Sequence, residues 1–199
     1  MGLPKATLPF GPELMLERVV RLLGTVVQPI VVVAAPGQDL PRLPAETIVA
    51  RDEREGRGPL EGLLAGLLAA APQAEAAYAT SCDVPLLVPE FVRTMIGRLG
   101  DAEIAVPVEG EFPHPLATVY RTSVISQIRE LLAADRLRPA FLFDRALTNR
   151  IPAEELRAAD PALATLRNLN RPEDYLAALA DAGFTPDPAI LAAFGAPRR

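Results

Sequence analysis

Cysteine, histidine and lysine are each present once in this 199-residue chain, and each scarcity excludes something. A single cysteine, Cys82, cannot form an internal disulfide, so nothing points to an oxidising compartment. The lone histidine, His114, sits in the Pro-rich stretch FPHP. It has no Cys or His cluster for a zinc site and no Ser–Asp pair for a triad. We read it as an exposed loop residue with a solvated or packing role. Basic charge is also in deficit: 20 Lys+Arg against 25 Asp+Glu give −5. That diffuse acidic balance argues against a nucleic-acid surface, which needs a basic stripe. No apolar run reaches the ~18 residues of a transmembrane helix. The N-terminus lacks a basic stretch followed by an apolar one, so it does not read as a signal peptide. The expectation is a cytoplasmic protein with no membrane association.

What is present is ordinary for a globular chain: 50% apolar and 23% charged residues. A domain of this size buries about 70% of its unfolded surface, enough for a core without disulfides or metal. One domain over residues 1–199 is expected, and disorder is excluded as the main state. The 21 prolines sit mainly at the joints between elements.

Residues 13–23 place Met15, Leu16, Val19, Val20 and Leu23 at helical spacing, with Gly24 suited to a left-handed stop. The run 30–35 (IVVVAA) suits a parallel strand buried on both faces. Further strands are expected at 47–50, 76–81, 103–107 and 116–121. Helices are expected at 60–71, 89–99, 123–134, 141–147, 172–182 and 188–194. Alternating strands and helices with short links predict an α/β fold with helices on both faces of the sheet. Such sheets bind ligands beyond the C-terminal ends of their strands.

Asp83 stands at such a strand end, fixed by Pro85. A carboxylate there can hold a hard cation such as Mg²⁺, or simply cap a turn. The stretch 52–62 (DEREGRGPLEG) combines Asp52, two arginines and Gly58-Pro59 before a helix. Glycines allow close backbone approach and helix N-termini attract anions, although charge-rich surface loops look alike. Lys5 could neutralise phosphates as a point charge, or be a solvated terminal lysine. Asn168 and Asn170 could contact a ligand, and Asn170 could cap the helix that follows. Cys82 reads as a small, unreactive side chain.

Taken in order, five fragments resemble one family. MGLPKATLPFG is similar to the second half of the nucleotidyltransferase signature. RDEREGRGPLEGLLAGL, TSCDVPLL, FPHPLATVYR and RNLNRPEDY resemble successive motifs of the molybdenum cofactor guanylyltransferases. The resemblance implies a three-layer, Rossmann-like, mostly parallel α/β sheet. It implies GTP and molybdopterin as substrates, Mg²⁺ as cofactor, and transient contact with cofactor-delivery or acceptor proteins. By the same resemblance Lys5 contacts the nucleotide phosphates and Asp83 binds Mg²⁺ as the second catalytic residue. Gly2, Asp52, Gly58, Pro59 and Gly62 belong to the nucleotide side, and Asn168 and Asn170 to the site that receives the pterin phosphate.

Two departures change single positions. Arg171 stands where the family has Thr, a better cap, and Ala35-Pro36 stands where an Ala-Asn pair is common. A third concerns the front. The family motif starts with an apolar strand ending in L-A-G-G, and Met1 aligns after it. The first strand is therefore expected to be missing from the chain, with a reading frame extending upstream. A native intact mass beginning at Met1 would contradict that. Residues 1–199 are then expected to bind GTP·Mg²⁺ weakly, and micromolar affinity by calorimetry would contradict this. Two alternatives stay open: a relative using CTP or another small phosphorylated acceptor, and a binding protein that kept the fold and lost catalysis.

Overall fold

The computed structural model describes residues 3–51 and 58–195. A 3-10 turn, Lys5–Thr7, leads into a short hairpin, β1 (Pro9–Phe10) and β2 (Glu13–Leu14). Then follow α1 (Met15–Gly24), β3 (Val31–Ala34), β4 (Ile48–Arg51), α2 (Pro59–Ala70), β5 (Ala76–Thr80) and α3 (Pro89–Gly97). The second half holds β6 (Ile104–Glu109), β7 (Phe112–Pro113), β8 (Ala117–Arg121), α4 (Ile125–Ala133), α5 (Ala140–Phe143) and β9 (Thr148–Pro152). Helices α6 (Pro172–Asp181) and α7 (Pro188–Gly195) close the described chain.

The periodicity of α1 is realised: Met15, Leu16, Val19, Val20 and Leu23 are all buried. Its stop differs from expectation. Gly24 is the last helical residue and is not left-handed; Thr25 ends the helix in right-handed conformation, its N–H donating to Leu22 and Leu23 carbonyls. A helix can fray into a right-handed turn when a following residue serves the last carbonyls, so glycine's freedom is not needed here. At α2 it is needed: Gly58 has φ +73° immediately before Pro59 at the first helical position.

Strands β3 and β4 pair in parallel. The larger sheet runs β5-β8-β6-β7, with β9 along the other side of β6. Strand β8 is antiparallel to both β5 and β6, and β9 is parallel to β6. Hence β5, β6 and β9 share one direction, and their C-terminal ends share one edge of the sheet. Side chains alternate across it. Ile104 and Val106 pack with Leu60, Leu67, Ile128 and Phe143, on the side of α2, α4 and α5. Ala105 packs on the opposite side with Phe91, Met95 and Leu156, on the side of α3. The period of two in a strand makes these two faces. Helices on both make three layers, as expected. Each buried Leu, Ile or Phe in them contributes roughly 1.5–3 kcal/mol.

Residues 30–35 are not buried on both faces. Val32 and Ala34 are buried, while Val31 and Val33 are half-buried. Strand β5 is half-buried throughout. Among the described residues, the edge of β3 away from β4 and the edge of β5 away from β8 have no partner strand. Strand β9 was not expected, because its polar residues Asn149 and Arg150 face outwards at a sheet margin and hide the pattern.

Candidate active site

Asp83 follows β5 by three residues and is buried, at 7% exposure. Its position is fixed from several directions. The Asp83 carbonyl accepts the Leu169 N–H at 2.9 Å. Next in the chain, Val84 and Leu87 enter a cluster with Val19, Leu23 and Val92. Arg18 Nε on α1 donates to the Pro85 carbonyl at 2.7 Å. The carboxylate itself is paired on both oxygens: Oδ1 accepts the Ser81 hydroxyl, and Oδ2 accepts Lys5 Nζ at 2.6 Å.

Lys5 is held by its turn. Ala6 beside it is buried against Leu16, Val20 and Val32, which sets the ammonium over the strand end. Lys5 Nζ also donates to Asn170 Oδ1 at 2.8 Å. Of the two roles open to Asn170, capping of α6 is not the one seen, since Arg171 is the N-cap residue. The Asp174 carboxylate accepts the Asn170 and Arg171 N–H groups at 3.1 and 2.9 Å. This is the reciprocal half of a capping box, and it compensates for the poor capping residue Arg171. With the backbone served by Asp174, the Asn170 amide oxygen is directed at Lys5.

Three segments separated by 78 and 165 residues thus meet in one cation–carboxylate–amide cluster. An ammonium with a carboxylate and neutral oxygens can exchange partners with an incoming polyanion and its counter-cation. Among the described residues no three His, Cys, Asp or Glu side chains cluster for a metal. A single carboxylate nonetheless fits Mg²⁺, which is usually held by one or two carboxylates plus substrate phosphates. Burial holds the neighbouring Cys82 thiol above its ordinary range, and the Asp83 charge adds to that, which disfavours the thiolate.

The other expected residues are placed elsewhere. Gly58, Pro59 and Gly62 form the start of α2. Among the described residues no hydrogen bond or ion pair joins them to Lys5, Asp83 or Asn170. Gly2 and Asp52 lie outside the described residues. Asn168 borders a cavity of about 120 Å³ with His114, Pro115 and Thr165. His114 is half-buried rather than exposed, its Nε2 2.8 Å from Glu109 Oε2. Sequence reasoning missed Ser81, although a Ser two residues before a strand-end Asp was there to be seen. It also missed Asp160, buried at 2% exposure. Asp160 accepts the Ala164 N–H at 3.0 Å, the Thr165 N–H at 2.8 Å and the Thr165 hydroxyl at 2.7 Å.

The layering and strand order place the chain in a layered α/β class of fold, with Lys5 and Asp83 brought together beyond the end of β5. Solved structures agree. A molybdopterin-guanine dinucleotide biosynthesis protein A from Archaeoglobus fulgidus superposes with TM-score 0.75 at 19% identity, covering 92% of each chain. A 2-C-methyl-D-erythritol 4-phosphate cytidylyltransferase from Thermus thermophilus gives TM-score 0.64 at 16% identity, over 90% of this chain and 94% of that one. Both likenesses concern the fold. The family follows from the sequence: the model of the MobA-like NTP transferase domain matches residues 1–151, and the chain belongs to that family. It is also 40% identical, over 188 residues, to a probable molybdenum cofactor guanylyltransferase from Mycobacterium avium, covering 92% of this chain and 89% of the relative. The protein is accordingly a nucleotidyltransferase. No helix among the described residues is long and apolar enough to cross a membrane.

Proposed function

We propose that the chain transfers GMP from GTP to the phosphate of molybdopterin, releasing pyrophosphate and forming the guanine dinucleotide cofactor. The observation that carries this reading is the meeting of Lys5, Asp83 and Asn170 at the end of β5. The name of the relative from M. avium supplies the substrates.

An oxygen of the acceptor phosphate forms a bond to the α-phosphorus of GTP. The bond from that phosphorus to the bridging oxygen breaks, and its electron pair leaves with pyrophosphate. The attacking oxygen is already anionic at neutral pH, so no general base and no covalent nucleophile are required. The protein's task is positioning and charge neutralisation. Lys5 turns from Asp83 to the phosphate oxygens, and the Asp83 carboxylate is the residue that would hold Mg²⁺. When bound, Mg²⁺ supplies neutralisation of the triphosphate. Asn170 keeps hold of the ammonium during this exchange and, with Asn168, shapes the acceptor phosphate site. Gly2, Asp52, Gly58, Pro59 and Gly62 serve the nucleotide.

The test is label transfer from [α-³²P]GTP to molybdopterin at millimolar nucleotide with Mg²⁺, beside [α-³²P]CTP. GTP is expected to be the donor. Lys5→Met and Asp83→Asn are each expected to lower the rate about 10²–10³-fold, the usual loss for one transition-state charge partner. No transfer, preference for CTP, or variants as fast as the parent would refute the reading.

A further inference from the structure

We propose that the open face of the β6–β7 hairpin, with the cavity beside it, binds the planar heterocycle of the acceptor. This rests on the reading above and extends it from the acceptor's phosphate to its ring.

The register places the relevant side chains together. Glu109 pairs with Phe112 across the hairpin, and Val108 with Pro113. Cross-strand partners share a face, and so do residues two apart along a strand. Glu109, Phe112 and His114 therefore project to the same side, and the 2.8 Å contact between His114 and Glu109 agrees with this. Phe112 is 78% exposed. A single exposed phenyl ring is unremarkable by itself. Here it stands beside a carboxylate and an imidazole, on a loop tied down from beneath.

That tying is specific. The His114 N–H donates to the Pro107 carbonyl at 2.9 Å. Thr118 Oγ1 donates to the His114 carbonyl at 2.7 Å, and the Tyr120 hydroxyl to the Pro115 carbonyl at 2.9 Å. Thr118 and Tyr120 are fully buried in β8, so the loop is held by the sheet itself. The facing wall is Thr165, Leu166 and Asn168, with Thr165 pinned by buried Asp160. Between the walls lies the cavity of about 120 Å³, space for about four waters at ~30 Å³ each. It takes one edge of a bicyclic ring while the ring face lies against Phe112. The Asn168 wall runs directly into Leu169, bonded to the Asp83 carbonyl, and Asn170, bonded to Lys5. A ligand whose ring sits here has its phosphate side directed at the reacting centre.

The chemistry selects a planar heteroaromatic with an amino–imino edge and a ring carbonyl. The Glu109 carboxylate accepts from adjacent N–H groups and is oriented by the His114 Nε2 contact, the Asn168 amide offers a donor to ring oxygen or nitrogen, and Phe112 supplies a stacking surface. Aromatic stacking of this kind is sequence- and substituent-tolerant and contributes substantially to binding.

The probe is 6-hydroxymethylpterin, followed by its own fluorescence with the full chain, and a fluorescent GTP analogue is titrated separately. Phe112→Ala, His114→Ala and Glu109→Gln are each expected to weaken pterin binding about tenfold and leave GTP-analogue affinity unchanged. Phe112→Tyr is expected to restore it, and Phe112→Leu is not, because the flat π-face is required. Absence of pterin binding by the parent chain, or equal binding by parent and variants, overturns the proposal. So does an equal loss of pterin and nucleotide binding, which marks a general structural effect. Residue-dependent pterin binding in a chain that transfers no label from GTP upholds the subsite and instead refutes the function proposed above.

Discussion

Removing the Asp160 carboxylate should both destabilise the chain and loosen one wall of the cavity proposed to take the acceptor's ring. The carboxylate is buried at 2% exposure and receives three donors within 3.0 Å: the Ala164 N–H, the Thr165 N–H and the Thr165 hydroxyl. In Asp160→Ala all three lose their acceptor. Ala164 is a half-buried residue at the protein's margin, so we take water to replace the bond its N–H loses. The two Thr165 donors belong to a residue at 1% exposure and cannot be rehydrated without opening the structure. Each unsatisfied buried donor costs about 1–3 kcal/mol, so the two Thr165 donors give a loss of about 2–6 kcal/mol. For a chain of this length 1 kcal/mol corresponds to roughly 2–4 °C, so the melting temperature should fall by roughly 4–24 °C. Asp160→Asn keeps one acceptor oxygen and should lose about half as much. Thr165 also accepts the Val88 N–H at 3.0 Å and walls the cavity. The acceptor KM should therefore rise in the same variant, with the GTP KM much less affected. The measurements are thermal melts by circular dichroism and initial rates of label transfer. A melt for Asp160→Ala within about 2 °C of the parent would refute the reasoning, since it would mean that water reaches the Thr165 donors.

Gly11 has φ +66°, and a Cβ there would lie 2.6 Å from ring carbons of Phe184. Gly11→Ala should cost about 2–5 kcal/mol from left-handed strain plus overpacking, and a second change, Phe184→Leu, should recover the packing part. A chemical denaturation midpoint unchanged in Gly11→Ala would count against this. The three tyrosines offer a pH test. Burial holds the phenols of Tyr78, Tyr120 and Tyr175 above the ordinary range, with the Asp160 charge adding at Tyr78 and that of Asp187 at Tyr175. A raised folded value means that this stability is complete below the unfolded value of about 10 and is lost as pH rises above it. Absorbance at 295 nm should therefore rise together with loss of circular dichroism; phenolate appearing around pH 10 in a chain with an intact spectrum would contradict it.

Local pattern determined the longer helices and most of the strands of this protein, but not β9 or the two-residue strands. Helical spacing at Met15, Leu16, Val19, Val20 and Leu23, and proline at the first positions of α2, α3 and α6, could be read without coordinates. So could the family, because five motifs stand in order along the chain. Lys5, Asp83 and Asn170 were nameable from those motifs, yet nothing local says that an ammonium meets a carboxylate 78 residues on and an amide 165 residues on. Only the sheet decides that, by bringing the end of β5, the first turn and the entry to α6 to one edge. The same holds for His114. Its sequence context, two prolines in a polar loop, suggests solvent. The buried hydroxyls of Thr118 and Tyr120 in β8 instead tie that loop to the sheet and bring the imidazole to Glu109. Hydrophobic period and turn chemistry act over a few residues and are written in order. Hydrogen bonds between distant segments are fixed by strand order and register, which exist only once the chain has folded.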